Sequence, residues 1–175
     1  IELNNGETIH IDSPAAMRKN SIVARTIHDG TVAASRKMAG LFGEPAVCRG
    51  YGRRHALLQA IAPTKSTSFI LGQTSEGVEP RQSNYVIEDK AKGKFTFRNR
   101  HLNNLLASKN VDVDAAWKQI LLAGGSVQKL DCLDDHEKAV FRTFVEIPQI
   151  AVVQQAAQRQ PYIDQMQSLN VMLHA

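Results

Sequence analysis

Pro63-Thr64-Lys65-Ser66-Thr67-Ser68 stands between two short apolar runs, Leu57 to Ala62 and Phe69 to Gly72, and it constrains the fold more than any other stretch of the chain. An apolar run closed by proline suits a buried strand that feeds a loop, because proline has no amide with which to continue a ladder. Small hydroxyl residues in that loop leave backbone N–H groups exposed and add donors of their own, and the lysine supplies charge. Together these make a phosphate cradle. On composition alone a plain Ser/Thr turn explains the segment better. The Gly-x-x-x-x-Gly-Lys-Ser/Thr spacing of a Walker loop is absent, as are Gly-x-Gly-x-x-Gly and Gly-x-Ser-x-Gly.

Around this loop the pattern alternates between helix and strand. Thr8 to Ile11 alternates weakly and reads as a short strand or loop, and Ser13-Pro14 then opens a helix. Apolar residues at Ile22, Val23, Ile27, Val32, Met38 and Leu41 keep helical spacing, with a break expected at Gly30 and a stop at Gly43 and Pro45. Phe69 to Leu71 and a hairpin through Tyr85-Val86-Ile87 and Lys94 to Phe97 read as strands. Leu102 to Ala107 and Val113 to Ala123 read as helices, the second begun by Asp112 and ended by Gly124-Gly125. Asp134 caps a further helix carrying Val140, Phe141 and Phe144. Pro148 opens another, with Ile150, Val153, Ala156 and Ala157 as its apolar residues, and Ser168 to Leu173 reads as a buried strand. No repeat or linker divides the chain, so residues 1–175 are taken as one unit.

Charge is mildly positive, 21 Lys plus Arg against 17 Asp plus Glu in 175 residues. This suits an anionic ligand and is also ordinary for a globular protein. Basic residues gather at Arg49, Arg53, Arg54 and His55 and again at Lys90, Lys92, Lys94, Arg98, Arg100 and His101. A solvated surface explains them, and a nucleic-acid binder is the weaker alternative, since the aromatic pattern of a single-strand binding module is missing. No window approaches eighteen apolar residues and no secretory signal opens the sequence, which predicts a protein that neither spans a membrane nor is exported. Cys48 and Cys132 stand apart without metal-ligand spacing, so a reducing cytoplasm and two packed thiols are expected. Glu76 and Glu79 suit either a pocket mouth or structural roles. Asp131, Asp134, Asp135, His136 and His174 read as helix-flanking or surface groups.

Two blocks go beyond spacing. Gly50 to Ser68 with Glu76-Gly77-Val78-Glu79-Pro80, and Ala156 to Val171 including Pro161-Tyr162-Ile163-Asp164-Gln165, resemble the large, catalytic subunit of class I ribonucleotide reductase. Ala91-Lys92-Gly93, Trp117, Gly124 to Gln128 and Val140-Phe141 fall where bacterial and phage members have similar residues. The resemblance is strong from Phe42 to Ala175 and loose before that. It implies an α/β fold, the C-terminal part of a ten-stranded ribonucleotide reductase type barrel. It also implies that Thr64, Lys65, Ser66 and Thr67 hold the substrate diphosphate through amides at a helix start and through hydroxyls, Lys65 more by its backbone than by its side chain.

The family's Asn-x-Cys-x-Glu finger, whose cysteine becomes the thiyl radical, has no counterpart here, and neither Cys48 nor Cys132 inherits that role. The reducing cysteine pair, the regulatory ATP cone, the adjacent tyrosines of the radical path and the tail cysteines are missing as well. The resemblance therefore implies one product of a split large-subunit gene, or a fragment. No cofactor is expected in this chain, and the protein radical is to come from a separate di-metal subunit. The implied partners are the remaining part of the large subunit, the small radical-generating subunit, a ribonucleoside diphosphate, and thioredoxin or glutaredoxin. The alternative is a non-catalytic nucleotide-phosphate binding or interaction module built on the same barrel piece.

Overall fold

Ser13 starts the longest element of the fold. Its hydroxyl accepts from the Ala16 amide at 3.1 Å, and Pro14 occupies the first turn, where no donor is needed. The computed structural model describes residues 3, 5–71, 75, 77–90 and 93–173. Gly72, Glu76, Ala91, Lys92 and His174, discussed above, lie outside the described residues, and so do the side chains of Lys65, Ser66, Phe69, Lys90, Lys94 and Phe95.

Helix α1 runs from Pro14 to Phe42, 29 residues without interruption, so the break expected at Gly30 does not occur. Glycine in a helix interior costs about 1 kcal/mol relative to alanine but keeps its amide and carbonyl, and the ladder continues through it. The stop is as expected: Gly43 adopts φ 75° and donates its amide to the Ala39 carbonyl at 2.8 Å. Helix α1 packs along α6 (Gln149–Arg159) and buries only Ala16, Ala24 and Ser35. Ile22, Val23, Ile27, Met38 and Leu41 remain between 36% and 67% exposed. Ser35 locks the following loop, because its hydroxyl accepts from the amides of Arg54 at 3.1 Å and His55 at 3.0 Å. Arg54 in turn donates to the carbonyls of Phe42 and Gly43 at the end of α1.

The densest core forms beyond the loop region. Helix α2 covers Lys65–Leu71, and strands β1 (Tyr85–Lys90) and β2 (Gly93–Arg98) pair antiparallel with Tyr85 opposite Arg98. Asn99 caps α3 (Arg100–Ser108) and Asp112 caps α4 (Val113–Leu122). Leu102, Leu106, Trp117 and Ile120 from these helices are at most 1% exposed, and the indole N–H of Trp117 donates to Asn103 at 3.0 Å. Gly125, at φ 92°, has to be glycine, since a Cβ there would lie 1.8 Å from the Ser83 hydroxyl. Buried Asn84 ties the pieces together. It donates to the carbonyls of Gly125 at 3.0 Å and Phe141 at 2.8 Å, and accepts from Asn99 at 2.9 Å.

Helix α5 (Asp135–Val140) begins at a reciprocal capping box between Asp134 and Glu137. Phe144, expected on this helix, lies instead in a 3-10 turn spanning Phe144–Glu146. Thr143 restarts the chain there with its own capping box to Glu146, and Phe144 is still buried. Helix α6 opens after Pro148 as expected, but its buried face is not the one its apolar residues suggest: Ala151, Val152, Gln155 and Arg159 are inside, while Ile150 and Val153 are 63% and 45% exposed. Polar side chains on the inner face find partners on α1 and the loops, so burial there follows hydrogen bonding as well as hydropathy.

Three expected strands are corrected. Phe69 to Leu71 belongs to α2. The segments 57–62 and 168–173 are not ladders, although 58–61 and 164–168 do lie side by side in parallel, with a single bridge between Ile61 and Gln167. Side chains take the amides a ladder would use. Asp164 accepts from Leu58 at 2.9 Å and Gln59 at 2.8 Å, Glu79 accepts from Asn170 at 2.6 Å, and Gln149 accepts from Met172 at 2.9 Å. Val171 and Leu173 are 46% and 91% exposed, which also overturns the expectation that this segment is buried.

Candidate functional site

The parallel pairing of 58–61 with 164–168 aims both segments at one cleft. Gln165 donates to the Gln59 carbonyl at 3.2 Å, Ile61 to Met166 at 3.1 Å, and Ser168 to Ile61 at 2.7 Å. Past these bonds the chains diverge around a cleft of about 400 Å³, with Ile61, Pro63, Glu79, Arg81, Ser168 and Asn170 among its wall residues. A cleft of this size is large enough for a small ligand.

Pro63 belongs to the wall, and α2 begins two residues later. Thr64 is half-buried and its carbonyl accepts the Ser68 amide at 2.8 Å, while Thr67 is exposed. The amides of residues 65–67 precede that first intrahelical bond and so have no acceptor within α2, which is the backbone feature an anion requires. Thr64 and Thr67 are not among the described wall residues of the cleft. They adjoin it through Pro63. The hydroxyl-rich segment read as a turn is therefore the first turn of a helix, the geometry that the family resemblance implied.

Glu79 is placed at the cleft, one of the two roles left open for it. Its carboxylate accepts the Asn170 amide, and its backbone carbonyl accepts from the Ser75 hydroxyl. Asp164 fixes the incoming segment from the other side. Burial raises its carboxyl, but the amides of Gln59 and Leu58, its own amide and the Arg53 charge outweigh this and hold it below the ordinary carboxylate value. Arg81 was not singled out from sequence. It lies with its guanidinium carbon 3.9 Å from the Phe97 ring centre and also lines a second cleft of about 330 Å³.

The remaining candidates are spread over the molecule. His136 pairs with the Thr8 hydroxyl at 3.1 Å, Cys48 is 2% exposed, and Cys132 packs against the helical core. Arg98 pairs with Asp114 at 3.2 Å and lies over the Tyr85 and Trp117 rings. Away from the cleft, Asp12 joins Arg142 and, at 2.8 Å, His10. Burial raises the Asp12 carboxyl, and these two partners outweigh it and lower it. Among the described residues no group of His, Cys, Asp and Glu side chains is arranged to hold a metal, and no helix is long and apolar enough to cross a membrane.

A cleft reached by two parallel-running segments and followed at once by a hydroxyl-rich helix start gives this α/β chain an anion-suited rim. Comparison with known proteins agrees. The family model for the ribonucleotide reductase barrel domain matches residues 45–175, and the chain belongs to that family. It is 42% identical over 140 residues to the ribonucleoside-diphosphate reductase large subunit of Invertebrate iridescent virus 6, which covers 78% of this chain and 15% of the viral protein. The large subunit of Invertebrate iridescent virus 3 is 37% identical over 166 residues, 93% of this chain and 26% of that protein. The solved Actinobacillus ureae class Id ribonucleotide reductase alpha subunit superposes with a TM-score of 0.86 at 49% identity, covering 95% of this chain and 30% of its own. The chain therefore spans less than a third of the length of these relatives.

Proposed function

We propose that residues 1–175 form part of the barrel domain of a ribonucleoside-diphosphate reductase large subunit and supply its substrate diphosphate-binding loop. In the intact ten-stranded barrel, the amides of residues 65–67 and the hydroxyls of Thr64, Ser66 and Thr67 hold the diphosphate, with Lys65 contributing chiefly its backbone. Such a loop orients the ribose without taking part in the redox step. Its charge-assisted hydrogen bonds, each worth about 1.5–3 kcal/mol, act on the ligand's least variable group.

The observation that carries this reading is the start of α2 at Lys65, directly after the cleft-lining Pro63, within the region that matches the family. The reaction is the reduction of ribonucleoside diphosphates to deoxyribonucleotides in the cytoplasm. Its radical originates in a separate di-metal subunit and its reducing equivalents come from thioredoxin or glutaredoxin. The rest of the large subunit, including the finger that carries the radical cysteine, completes the barrel against the exposed apolar stripe of α1.

Reconstitution tests this reading. Turnover is expected only when this chain, the polypeptide carrying the Asn-x-Cys-x-Glu finger, the radical subunit and the reductant are combined. It should survive the double change Cys48→Ser with Cys132→Ser. Turnover by the 175 residues without that polypeptide, or its loss in the double variant, would refute the assignment.

A further inference from the structure

Arg159, the last residue of α6, is 8% exposed, an unusual position for a guanidinium. Its hydrogen-bond partners are neutral. Nε donates to the Gln167 side-chain oxygen at 3.1 Å and a terminal nitrogen to that of Asn20 at 2.9 Å. Among the described residues no carboxylate lies within ion-pair distance of it. A buried cation held only by amides is costly unless an opposite charge stands nearby. That charge is Glu79: burial works against the Arg159 cation and the Glu79 carboxylate works for it. Between the two lies a cavity of about 10 Å³, lined by Glu79, Arg159 and Gln155 together with apolar side chains. That is room for one water molecule with polar partners on two sides.

Glu79 lines the cleft, and Arg159 is linked to its wall through Gln167. Gln167, which Arg159 holds, makes the parallel bridge to Ile61, two residues before Pro63. Glu79 pins the Asn170 amide at 2.6 Å, and Glu79, Ile61 and Asn170 all line the cleft. We propose that Arg159 is a positioning residue for the substrate diphosphate. From behind the cleft it fixes the register of 164–168 against 58–61 through Gln167. Through one ordered water it holds the Glu79 carboxylate in place, without touching the ligand. The proposal rests on the reading of the cleft as a diphosphate site.

A double-mutant cycle in the assembled large subunit tests it. Inorganic pyrophosphate and a ribonucleoside diphosphate are titrated calorimetrically into the parent, Arg159→Gln, Glu79→Gln and the double variant. Each single change is expected to weaken both ligands about tenfold, and the double variant to be no weaker than the poorer single one. Arg159→Lys, which keeps the charge, should recover most of the loss, and Arg159→Met replaces Arg159→Gln in the cycle if that variant does not fold. Additive effects, or affinities unchanged while the parent binds, would overturn the positioning role. A parent that binds neither ligand would instead overturn the diphosphate reading on which the proposal stands.

Discussion

Replacing Asp164 with alanine removes the one group that accepts from two successive amides at the entrance of the cleft segment. Its carboxylate oxygens lie 2.9 Å and 2.8 Å from the amides of Leu58 and Gln59. The arrangement works like a helix N-cap carried by a distant residue. Asp164 is exposed, so water competes for both bonds, and the fitting magnitude is that of a capping aspartate, about 1–2 kcal/mol for the pair. At 1.4 kcal/mol per factor of ten, hydrogen-exchange protection at the Leu58 and Gln59 amides should fall roughly tenfold in Asp164→Ala. Asp164→Asn, which keeps an acceptor but loses the charge, should fall between alanine and the parent.

Acid gives a second reading of the same contact. The folded carboxyl titrates below its ordinary value of 3.8, so its contribution is complete above that value and fades as the pH falls through the folded pKa. Asp164→Asn should remove this acid-dependent part of the loss of protection. Exchange at Leu58 and Gln59 that is unchanged in Asp164→Ala would refute the argument that side-chain acceptors replace the ladder here.

Two further predictions concern other parts of the fold. Asp12 is likewise lowered, with Arg142 and His10 as its partners, so Asp12→Asn should destabilise the protein at neutral pH. The gap between variant and parent should close below the ordinary carboxylate value of 3.8, as followed by urea unfolding at several pH values. Gly30 lies inside an unbroken helix where an added Cβ meets nothing within 4 Å, so Gly30→Ala should raise stability by about 0.5–1 kcal/mol in thermal unfolding, and a loss of stability would contradict a continuous α1.

What the sequence disclosed follows from how local each signal is. Ser13, Asp112 and Asp134 bond to amides three residues on, so their caps could be read directly, and the helices behind them begin as expected. The hairpin at Tyr85 to Arg98 was visible for the same reason. The cleft segments were misread because their amides are satisfied by residues far along the chain: Asp164 for Leu58 and Gln59, Glu79 for Asn170. No pattern of apolar spacing encodes that. The buried face of α6 was missed because Gln155 and Arg159 are polar, and they are buried by virtue of bonds to Ile11, Asn20 and Gln167. The hydroxyl-rich loop was legible as an anion-suited segment, but composition alone favoured a turn, and only the family resemblance implied the helix start found there.

The central claim, that the Thr64 to Thr67 segment holds a substrate diphosphate, is tested most directly by titrating a ribonucleoside diphosphate into the assembled large subunit with and without Thr67→Val. Valine keeps the volume and the backbone of α2 but removes the hydroxyl, so the loss of one hydrogen bond to a charged group should weaken binding by about tenfold or more. Ser66→Ala should weaken it as well. Equal affinity in the parent and in both variants would contradict the account and put the phosphates elsewhere.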